Sequence, residues 1–382
     1  MIQKLGKVCR VKGGYAFKST QFEDVGIPLV KIGNIVNNRV KIDDIYINKN
    51  DLNMYKDFII NTGDVLVALS GATTGKFGIY SNEEIALLNQ RVAKIVPTEK
   101  INNRYLYHYM NKLQDIILET AKGAAQPNIS TKEIEDLAIY VPDMPIQNRI
   151  ADVLDKSQFL IDKRKEQIEA CDELVKSRFI EMFGDPVLNP MNLPKVELGK
   201  LGDWKTGGTP SRSNNYYFNG NIPWLSSGEL NNIYCFSSTE MITELAIKES
   251  SAKIIEIGSL LLGMYDTAAL KSTINMIECS CNQAIAYAKL DENLVDTIYV
   301  YYCIQIGKDF YKSQQRGVRQ KNLNLSMVKG LGILMPDLEL QNQFAAFVKQ
   351  VDKLKFEMQS SLKELEDNFN SLMQRAFNGE LF

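Results

Sequence analysis

The chain contains one long segment twice. Residues 142–185 and 336–382 both open with Pro-Asp and a Gln-Asn pair, and then carry apolar residues at steps of three and four. The offset between the copies is 194 residues, the difference between positions 336 and 142. Apolar residues at this spacing line one stripe of a helix, as in a coiled-coil seam. The repeat therefore predicts two similar units, each ending in a long helix.

The two predicted helices cover residues 146–183 and 340–378, and a glycine follows each of them. Their seam includes Leu160 in the first helix and Leu354 in the second. Further apolar residues lie off the seam, and we expect them to form a second packing surface: Leu154, Ile161, Leu174 and Phe179 in the first helix, and Ala345, Val348 and Phe356 in the second. The alternative is that both helices pack on the surfaces of their own domains.

Length and composition predict a folded, soluble chain of two or more domains. It has 382 residues, of which 45% are hydrophobic and 24% charged. The N-terminus lacks a signal-peptide core, and no apolar run reaches the ~18 residues of a membrane helix. We therefore expect a cytoplasmic protein whose six cysteines are free, buried thiols. The formal net charge of −2 means that any basic surface for nucleic acid must be local.

The order of predicted strands and turns also repeats. The segment LNQRVAKI (residues 88–95) corresponds to CNQAIAYAKL (281–290), and the loop GAAQPNIS (123–130) corresponds to GVRQKNLN (317–324). The predicted fold class is therefore α+β, with two mixed β-rich domains in tandem, each followed by a long helix. The predicted boundaries are a first domain at 1–141, a long helix at 142–185, a linker at 186–194, a second domain at 195–335 and a second long helix at 336–382.

Catalytic and metal-binding chemistry is poorly supported by the sequence. His108 is the single histidine, and its place in an aromatic helix favours a structural role. The segment SGATTGKF (residues 70–77) departs from the phosphate-binding P-loop in spacing and lacks a hydroxyl after its lysine. The chain has neither a methyltransferase motif for an extruded base nor an acidic nuclease cluster. We therefore expect no catalytic, cofactor or metal site in it.

Nucleic-acid binding is better supported, because several loops mix cations, aromatic residues and amides. Hydroxyl, ammonium and N–H groups can contact phosphates, whereas arginine can bond guanine and asparagine or glutamine can bond adenine. The predicted DNA-binding residues are Lys12, Tyr15, Lys18, Thr73, Thr74, Lys76, Gln126, Asn128, Arg212, Tyr216, Tyr217, Lys271, Arg316, Arg319, Gln320, Lys321 and Asn322. Each loop could equally be a solvated turn. The Gly, Gln and Asn shared by loops 123–130 and 317–324 fit either a shared function or a shared turn geometry.

The complete pattern resembles the specificity (S) subunits of Type I restriction–modification systems. The resemblance is carried by two half-chain repeats, each with a variable domain, a Gly-x-x-Gln-x-Asn loop, a Pro-Asp, a Gln-Asn and a long helix. It implies two target-recognition domains, near residues 1–141 and 195–335, that each read one half of a bipartite, asymmetric DNA site. It also implies that the two helices pack against each other as an antiparallel coiled coil and separate the two domains. The whole chain would then have a pseudo-two-fold repeat.

The same resemblance implies a non-catalytic chain that works with partner subunits. Two methyltransferase (M) subunits would dock on the helices and bind S-adenosylmethionine. Restriction (R) subunits would supply translocation and cleavage with ATP and Mg²⁺. Two alternatives stay open: a catalytic nuclease or methyltransferase, and an interaction scaffold with two heads that bind a ligand other than DNA.

The repeat predicts that the two heads act independently. Replacing residues 1–141 with the equivalent domain of a relative should change one half of the recognised DNA site and leave the other unchanged. Mapping of adenine methylation in cells that carry the exchanged chain measures both halves at once. A change in both halves would contradict independent reading.

Overall fold

The structure is a computed structural model that describes residues 1–121, 127–265, 269–313 and 322–382. Its residues group into two compact units. Unit 1 comprises Met1–Lys165 together with Ser361–Phe382, and unit 2 comprises Glu166–Ser360. Each unit thus contains one β-rich segment and a part of each long helix. The two units are defined by packing and are divided within the long helices. The predicted domain boundaries are defined by secondary structure and lie at the helix ends, so the units do not test them and they stay predictions. No helix among the described residues is both long and apolar enough to cross a membrane.

The first half of the chain is rich in short strands and ends in a long helix. Its elements are β1 (Ile2–Lys4), β2 (Cys9–Gly13), β3 (Ile27–Val30), β4 (Ile35–Val36), β5 (Arg39–Val40), β6 (Tyr46–Ile47), β7 (Ile59–Ile60), β8 (Val65–Ala68), β9 (Phe77–Ile79), β10 (Ala86–Leu88), β11 (Val92–Pro97), α1 (Asn103–Ala121), α2 (Thr131–Asp136), β12 (Ala138–Tyr140) and α3 (Met144–Phe183).

The second half repeats this order with different loops. Its elements are β13 (Lys195–Glu197), β14 (Lys205–Thr206), β15 (Phe218–Leu225), β16 (Tyr234–Cys235), β17 (Glu240–Ile242), α4 (Glu244–Glu249), β18 (Leu260–Gly263), β19 (Ser272–Asn275), β20 (Ser280–Cys281), β21 (Ile285–Ala288), α5 (Thr297–Ile306), α6 (Lys308–Ser313), α7 (Leu325–Lys329), β22 (Gly332–Leu334) and α8 (Leu338–Asn378). The predicted long helices at 146–183 and 340–378 are confirmed as α3 and α8. Gly184 and Gly379 follow them with φ of 73° and 79°, a conformation that favours glycine at a helix end.

Both units build their main sheet on the same antiparallel core. In unit 1, β11 lies between β2 and β8 in a sheet of order β2-β11-β8-β9-β5-β4. In unit 2, β21 lies between β14 and β18 in a sheet of order β14-β21-β18-β19-β16. Each unit also has a smaller sheet, β6-β3-β10-β7 in unit 1 and β17-β15-β20 in unit 2. A separate antiparallel pair, β1 with β12 and β13 with β22, joins the first strand of each unit to the strand before the next long helix.

The strands β8 and β18 are apolar along their whole length because each lies between two cores. In β8, Val65 and Val67 face a core that includes α1, while Leu66 faces a core formed by other strands. In β18, Leu260 faces the core that includes α5, and Leu261 faces the smaller core of unit 2. Successive strand residues point to opposite faces, so a strand covered on both sides has a continuous apolar sequence.

In unit 1, the beginning of α3 runs antiparallel to the end of α8. Arg149 lies over the ring of Phe382 at 4.2 Å, and Lys165 forms an ion pair of 2.8 Å with Glu366. The later residue of α3 thus contacts the earlier residue of the C-terminal segment, which shows that the two helices run in opposite directions. The helices also pack on the β-rich part, where Phe377 contacts the rings of two tyrosines of α1.

In unit 2, the end of α3 likewise runs antiparallel to the beginning of α8. Asp172 forms an ion pair of 2.6 Å with Lys355, and Phe179 and Phe183 contact the ring of Phe344. Tyr299 of α5 stacks on Phe179 at 5.6 Å. The predicted α+β class with antiparallel long helices is confirmed.

Several apolar residues of the two long helices differ in burial from what the sequence predicted. Five off-seam residues are buried inside the units, so the expectation that they form a second docking surface is wrong: Leu154, Ile161, Phe179, Ala345 and Val348. They contribute to the same cores as the sheets, because each helix part lies against its own β-rich segment. In contrast, the predicted seam residues Leu160 and Leu354 are 52% and 45% exposed.

A buried glutamine fixes the beginning of each long helix. The side-chain oxygen of Gln147 accepts the N–H of Asn102 at 2.8 Å, and its amide nitrogen donates to Pro142 O at 2.8 Å. Gln341 repeats this, since it accepts the N–H of Asp296 at 3.0 Å and donates to Pro336 O at 2.8 Å. Both glutamines are at most 1% exposed.

These bonds connect three elements in each unit. Asn102 and Asp296 cap α1 and α5, because their side-chain oxygens accept N–H groups of the first turn. The bonded prolines follow β12 and β22. The glutamine therefore joins the strand, the domain helix and the long helix at one buried point.

The substitution Gln341→Ala should lower the free energy of unfolding by about 2 kcal/mol, because it leaves a partly buried N–H and a buried carbonyl without partners. Chemical unfolding of the variant measures the loss. Gln343→Ala is the matched control, since Gln343 lies on the same helix and is exposed. Equal stability of the two variants would show that the buried amide does not hold the helix in place.

Candidate nucleic-acid interface

A concave pocket forms in unit 1 where three loops meet. The N–H of Leu69 donates to Arg91 O at 2.9 Å, and the N–H of Ile129 donates to Leu69 O at 2.9 Å. The N–H of Gly71 donates to Pro127 O at 2.9 Å. These backbone bonds hold the loops together around a volume of about 490 Å³. The unit 1 pocket, as we call it, is lined by Leu69, Ser70, Gly71, Gln90, Arg91, Pro127 and Asn128.

The side chains around the unit 1 pocket are mostly polar. Gln90, Arg91 and Asn128 are exposed. The hydroxyl of Ser70 is buried and has no hydrogen-bond partner among the described residues. The described residues of the pocket therefore present one cationic donor and two amides to whatever enters it, and the unsatisfied Ser70 hydroxyl lies buried behind this surface.

The predicted residues Thr73, Thr74 and Lys76 lie on the loop that follows β8. The Thr74 side chain is buried, and its hydroxyl lies 2.8 Å from Gly71 O and 3.0 Å from Pro127 O. It therefore supports the pocket from inside. The Thr73 hydroxyl makes a longer bond of 3.3 Å within the same loop, and Lys76 is exposed.

Lys12, Tyr15 and Lys18 are exposed at the edge of the β-rich part of unit 1. Tyr15 belongs to an aromatic group, with its ring centroid 5.0 Å from that of Tyr55. Its carbonyl accepts the N–H of Gln90 at 2.8 Å. The structure thus brings Tyr15 next to the unit 1 pocket, whereas Lys12 lies along β2.

In unit 2, two of the predicted loop residues, Arg212 and Tyr217, are engaged with carboxylates. Arg212 forms a bidentate pair with Glu240, with N–O distances of 2.7 and 3.0 Å, and this hydrogen bonding raises the pKa of Arg212. Tyr217 donates to a carboxylate oxygen of Glu249 at 3.1 Å. Tyr216 is 81% exposed, so its ring is accessible.

Lys271 and Asn322 lie on neighbouring parts of unit 2. The Lys271 ammonium donates to the side-chain oxygen of Asn231 at 2.8 Å. Asn322 is half-buried and directly precedes Leu323, whose N–H donates to Met264 O at 2.8 Å. Five predicted residues lie outside the described residues: Gln126, Arg316, Arg319, Gln320 and Lys321.

Sequence reasoning missed Gln90 and Arg91. The available signal was the Asn-Gln pair that recurs in LNQRVAKI and CNQAIAYAKL, which served only to align the repeats. The pair precedes a central strand of each main sheet, so its loop is carried on a rigid element.

The single histidine has a structural environment. His108 is 1% exposed, its Nε2 lies 2.6 Å from Asp155 Oδ1, and its ring packs against Phe369. Burial lowers the pKa of His108 and outweighs the opposing effect of Asp155. The predicted structural role agrees with this environment.

The cysteines are also unsuited to chemistry. All six are free, and five are buried. Burial raises the pKa of Cys9 to about 12, which keeps that thiol protonated at neutral pH. Within the described ranges, no cluster of His, Cys, Asp or Glu could hold a metal ion.

Comparison with known families matches both halves of the chain. The sequence model described as the Type I restriction modification DNA specificity domain matches residues 1–170 and 190–367. The MjaIX specificity subunit of Methanocaldococcus jannaschii is 22% identical over 100% of this chain and 93% of its own length. The EcoBI specificity subunit of Escherichia coli is 20% identical over 99% of this chain and 85% of its own. The match covers both β-rich segments and most of both long helices.

Solved structures show the same fold. The S subunit of a Type I restriction–modification system from M. genitalium has a TM-score of 0.58 at 14% identity, covering 99% of this chain and 96% of that one. A chain from a structure of Type I complex assembly and conformational transition has a TM-score of 0.61 at 16% identity, covering 100% and 98%. The predicted tandem arrangement of β-rich domains and long helices is therefore confirmed.

The geometry of Thr74 leads to a stability prediction. Thr74→Val should lower the free energy of unfolding by about 1 kcal/mol, because the bonds of the Thr74 hydroxyl are lost while both acceptor carbonyls keep a backbone N–H donor. Thr73→Val is the control and should change stability less, since its hydroxyl is half-buried and its bond is long. Urea unfolding of both variants gives the comparison. A Thr74→Val protein as stable as the wild type would leave the hydroxyl without a role inside the fold.

Proposed function

Because the chain belongs to the Type I restriction modification DNA specificity family, we propose that each of its units reads one half of a bipartite, asymmetric DNA site. The observation that carries this proposal is the family match to both β-rich segments, 1–170 and 190–367. Two such segments in one chain provide two separate reading surfaces. The match does not favour the alternative of a scaffold whose heads bind a ligand other than DNA.

The proposal of an asymmetric site is supported by the difference between the two units. Their main sheets share the same central strands, β2-β11-β8 and β14-β21-β18, but their loops differ in length and residue type. A shared scaffold with different loops presents two different sets of hydrogen-bonding groups to DNA. Since base identity is read by such groups in the grooves, two different sets select two different half-sites.

The chain is a specificity subunit, and its contribution is DNA recognition. In our proposal, methyl transfer and cleavage belong to partner subunits. S-adenosylmethionine would be held by the methyltransferase subunits, and ATP and Mg²⁺ by the restriction subunits. We place this activity in the cytoplasm, where a DNA-specificity protein meets its substrate.

The long helices are the proposed docking surface for two methyltransferase subunits and the spacer between the half-sites. In unit 2, α3 and α8 line a groove of about 1160 Å³. Leu174 and Phe356 on these helices are 50% and 69% exposed. In unit 1, Phe159 and Leu160 of α3 are 59% and 52% exposed. Large apolar side chains that are exposed on long helices are typical of an interface.

Net charge also supports a partner that helps to bind DNA. The formal charge of the chain is −2, whereas B-DNA carries one negative charge per roughly 1.7 Å. In addition, Arg39, Arg104 and Arg212 are held by carboxylates of this chain. Most neutralisation of phosphates should therefore come from the partner.

Co-expression with the cognate methyltransferase tests the function and its partner together. We expect the isolated chain to be poorly soluble and to bind DNA weakly. The co-purified complex should contain two M subunits and one S subunit by light scattering, and should retain a specific site in competition with non-specific DNA. The proposed role of the partner would be contradicted if the isolated chain were monodisperse and distinguished its site from non-specific DNA as strongly as the complex does. A complex that discriminates no sequence would contradict DNA recognition itself.

A further inference from the structure

Unit 2 contains the same loop framework that forms the unit 1 pocket. The N–H of Met264 donates to Ala284 O at 2.9 Å, and the N–H of Leu323 donates to Met264 O at 2.8 Å. In this framework, Met264 takes the place of Leu69, and Ala284 takes the place of Arg91. The backbone positions that carry the pocket are therefore common to both units.

The side chains on the two frameworks differ in chemical type at two of the compared positions. Arg91 of unit 1 corresponds to Ala284 of unit 2, and Ser70 corresponds to Tyr265, which is 40% exposed. The glutamine of the Asn-Gln pair is exposed in both units. A common backbone that carries different side chains is what two readers of different sequences require.

Arg91 also differs from two other exposed arginines of unit 1, Arg39 and Arg104. The guanidinium groups of Arg39 and Arg104 are held by Asp162 and Asp152, at 3.0 and 2.9 Å. No ion pair or hydrogen bond of the Arg91 guanidinium is present among the described residues. Its five donors are therefore available to a ligand at the pocket.

We propose that Arg91 is a specificity-determining residue that reads a guanine in the half-site bound by unit 1. This inference rests on the proposed function. An arginine can donate two parallel bonds to O6 and N7 of guanine in the major groove, and no other base presents that pair of acceptors there. Ala284, at the equivalent place in unit 2, cannot make these bonds, so the corresponding base in the other half-site is read differently.

The surroundings of Arg91 favour a base over a phosphate. Its neighbours in the unit 1 pocket are the amides of Gln90 and Asn128 and the unsatisfied hydroxyl of Ser70. Amides and hydroxyls both donate and accept, which matches the mixed pattern of a base edge. A phosphate offers acceptors only, so it would leave the acceptor oxygens of both amides without a donor. Among the described residues that line the pocket, Arg91 is the one cation.

The test uses the full chain in complex with its methyltransferase and compares Arg91→Ala and Arg91→Lys with the wild type. Adenine-methylation mapping of the wild type defines the site. Competition binding then measures discrimination at each base pair, using duplexes with single substitutions. Arg10→Ala is the matched control, because Arg10 is an exposed arginine on β2 of the same unit and does not line the pocket. Co-purification with the methyltransferase shows that each variant is folded.

We expect Arg91→Ala to lose about tenfold or more of the discrimination at one G·C pair, in the half-site that exchange of residues 1–141 also alters. Arg91→Lys should also lose discrimination there, since it keeps the charge but not the two parallel bonds. Arg10→Ala should leave every position within about twofold of the wild type.

Two results would overturn the inference while leaving DNA recognition intact. In one, Arg91→Ala weakens binding equally for all sequences, with a flatter salt dependence, and Arg91→Lys matches the wild type, as expected for a phosphate contact. In the other, both variants discriminate every base pair as the wild type does. If the wild-type complex itself discriminates no sequence, the proposed function and this inference fail together.

Discussion

The buried amide at the beginning of each long helix is the interaction on which the rest of the structure depends. Gln147 and Gln341 bond the N-cap residue of a domain helix on one side and the proline after a strand on the other. Burying an amide is favourable only when its donors and acceptors are satisfied. The helix direction is therefore tied to the position of the sheet, because a shift of either would leave these groups unpaired.

This arrangement separates the elements that are the same in both units from the loops that differ between them. The capped helices, the central strands and the glutamines repeat between the units, whereas the loops at the strand ends differ. Loops that are held by backbone bonds to a rigid sheet can exchange side chains without unfolding the unit. Arg91 and Ala284 illustrate this, since both offer their carbonyl to the same kind of backbone bond while their side chains differ entirely.

The long helices have two roles, and burial divides their residues between them. Phe179 and Val348 are buried in the core of unit 2, and Leu154 and Ile161 in the core of unit 1. The helices are thus part of each folded unit, as the alternative considered from sequence proposed. The exposed apolar residues that remain, such as Phe356, are fewer and form the smaller surface that is available to a partner.

The sequence by itself determined the repeat, the long helices and the family, because these depend on periodic spacing and on order along the chain. Tertiary structure decided which apolar residues are buried, since an off-seam residue faces either solvent or its own domain depending on what packs beside it. It also placed Arg91 at the pocket and Thr74 beneath it, because hydrogen bonds between distant loops define that surface. Two Gly-Gly pairs, at residues 13–14 and 207–208, also have a tertiary reason. A Cβ on Gly14 or Gly207 would lie 2.2 or 2.3 Å from the backbone of the neighbouring Asn-Gln turn. Periodicity along the chain carries no information about such contacts between segments far apart in sequence.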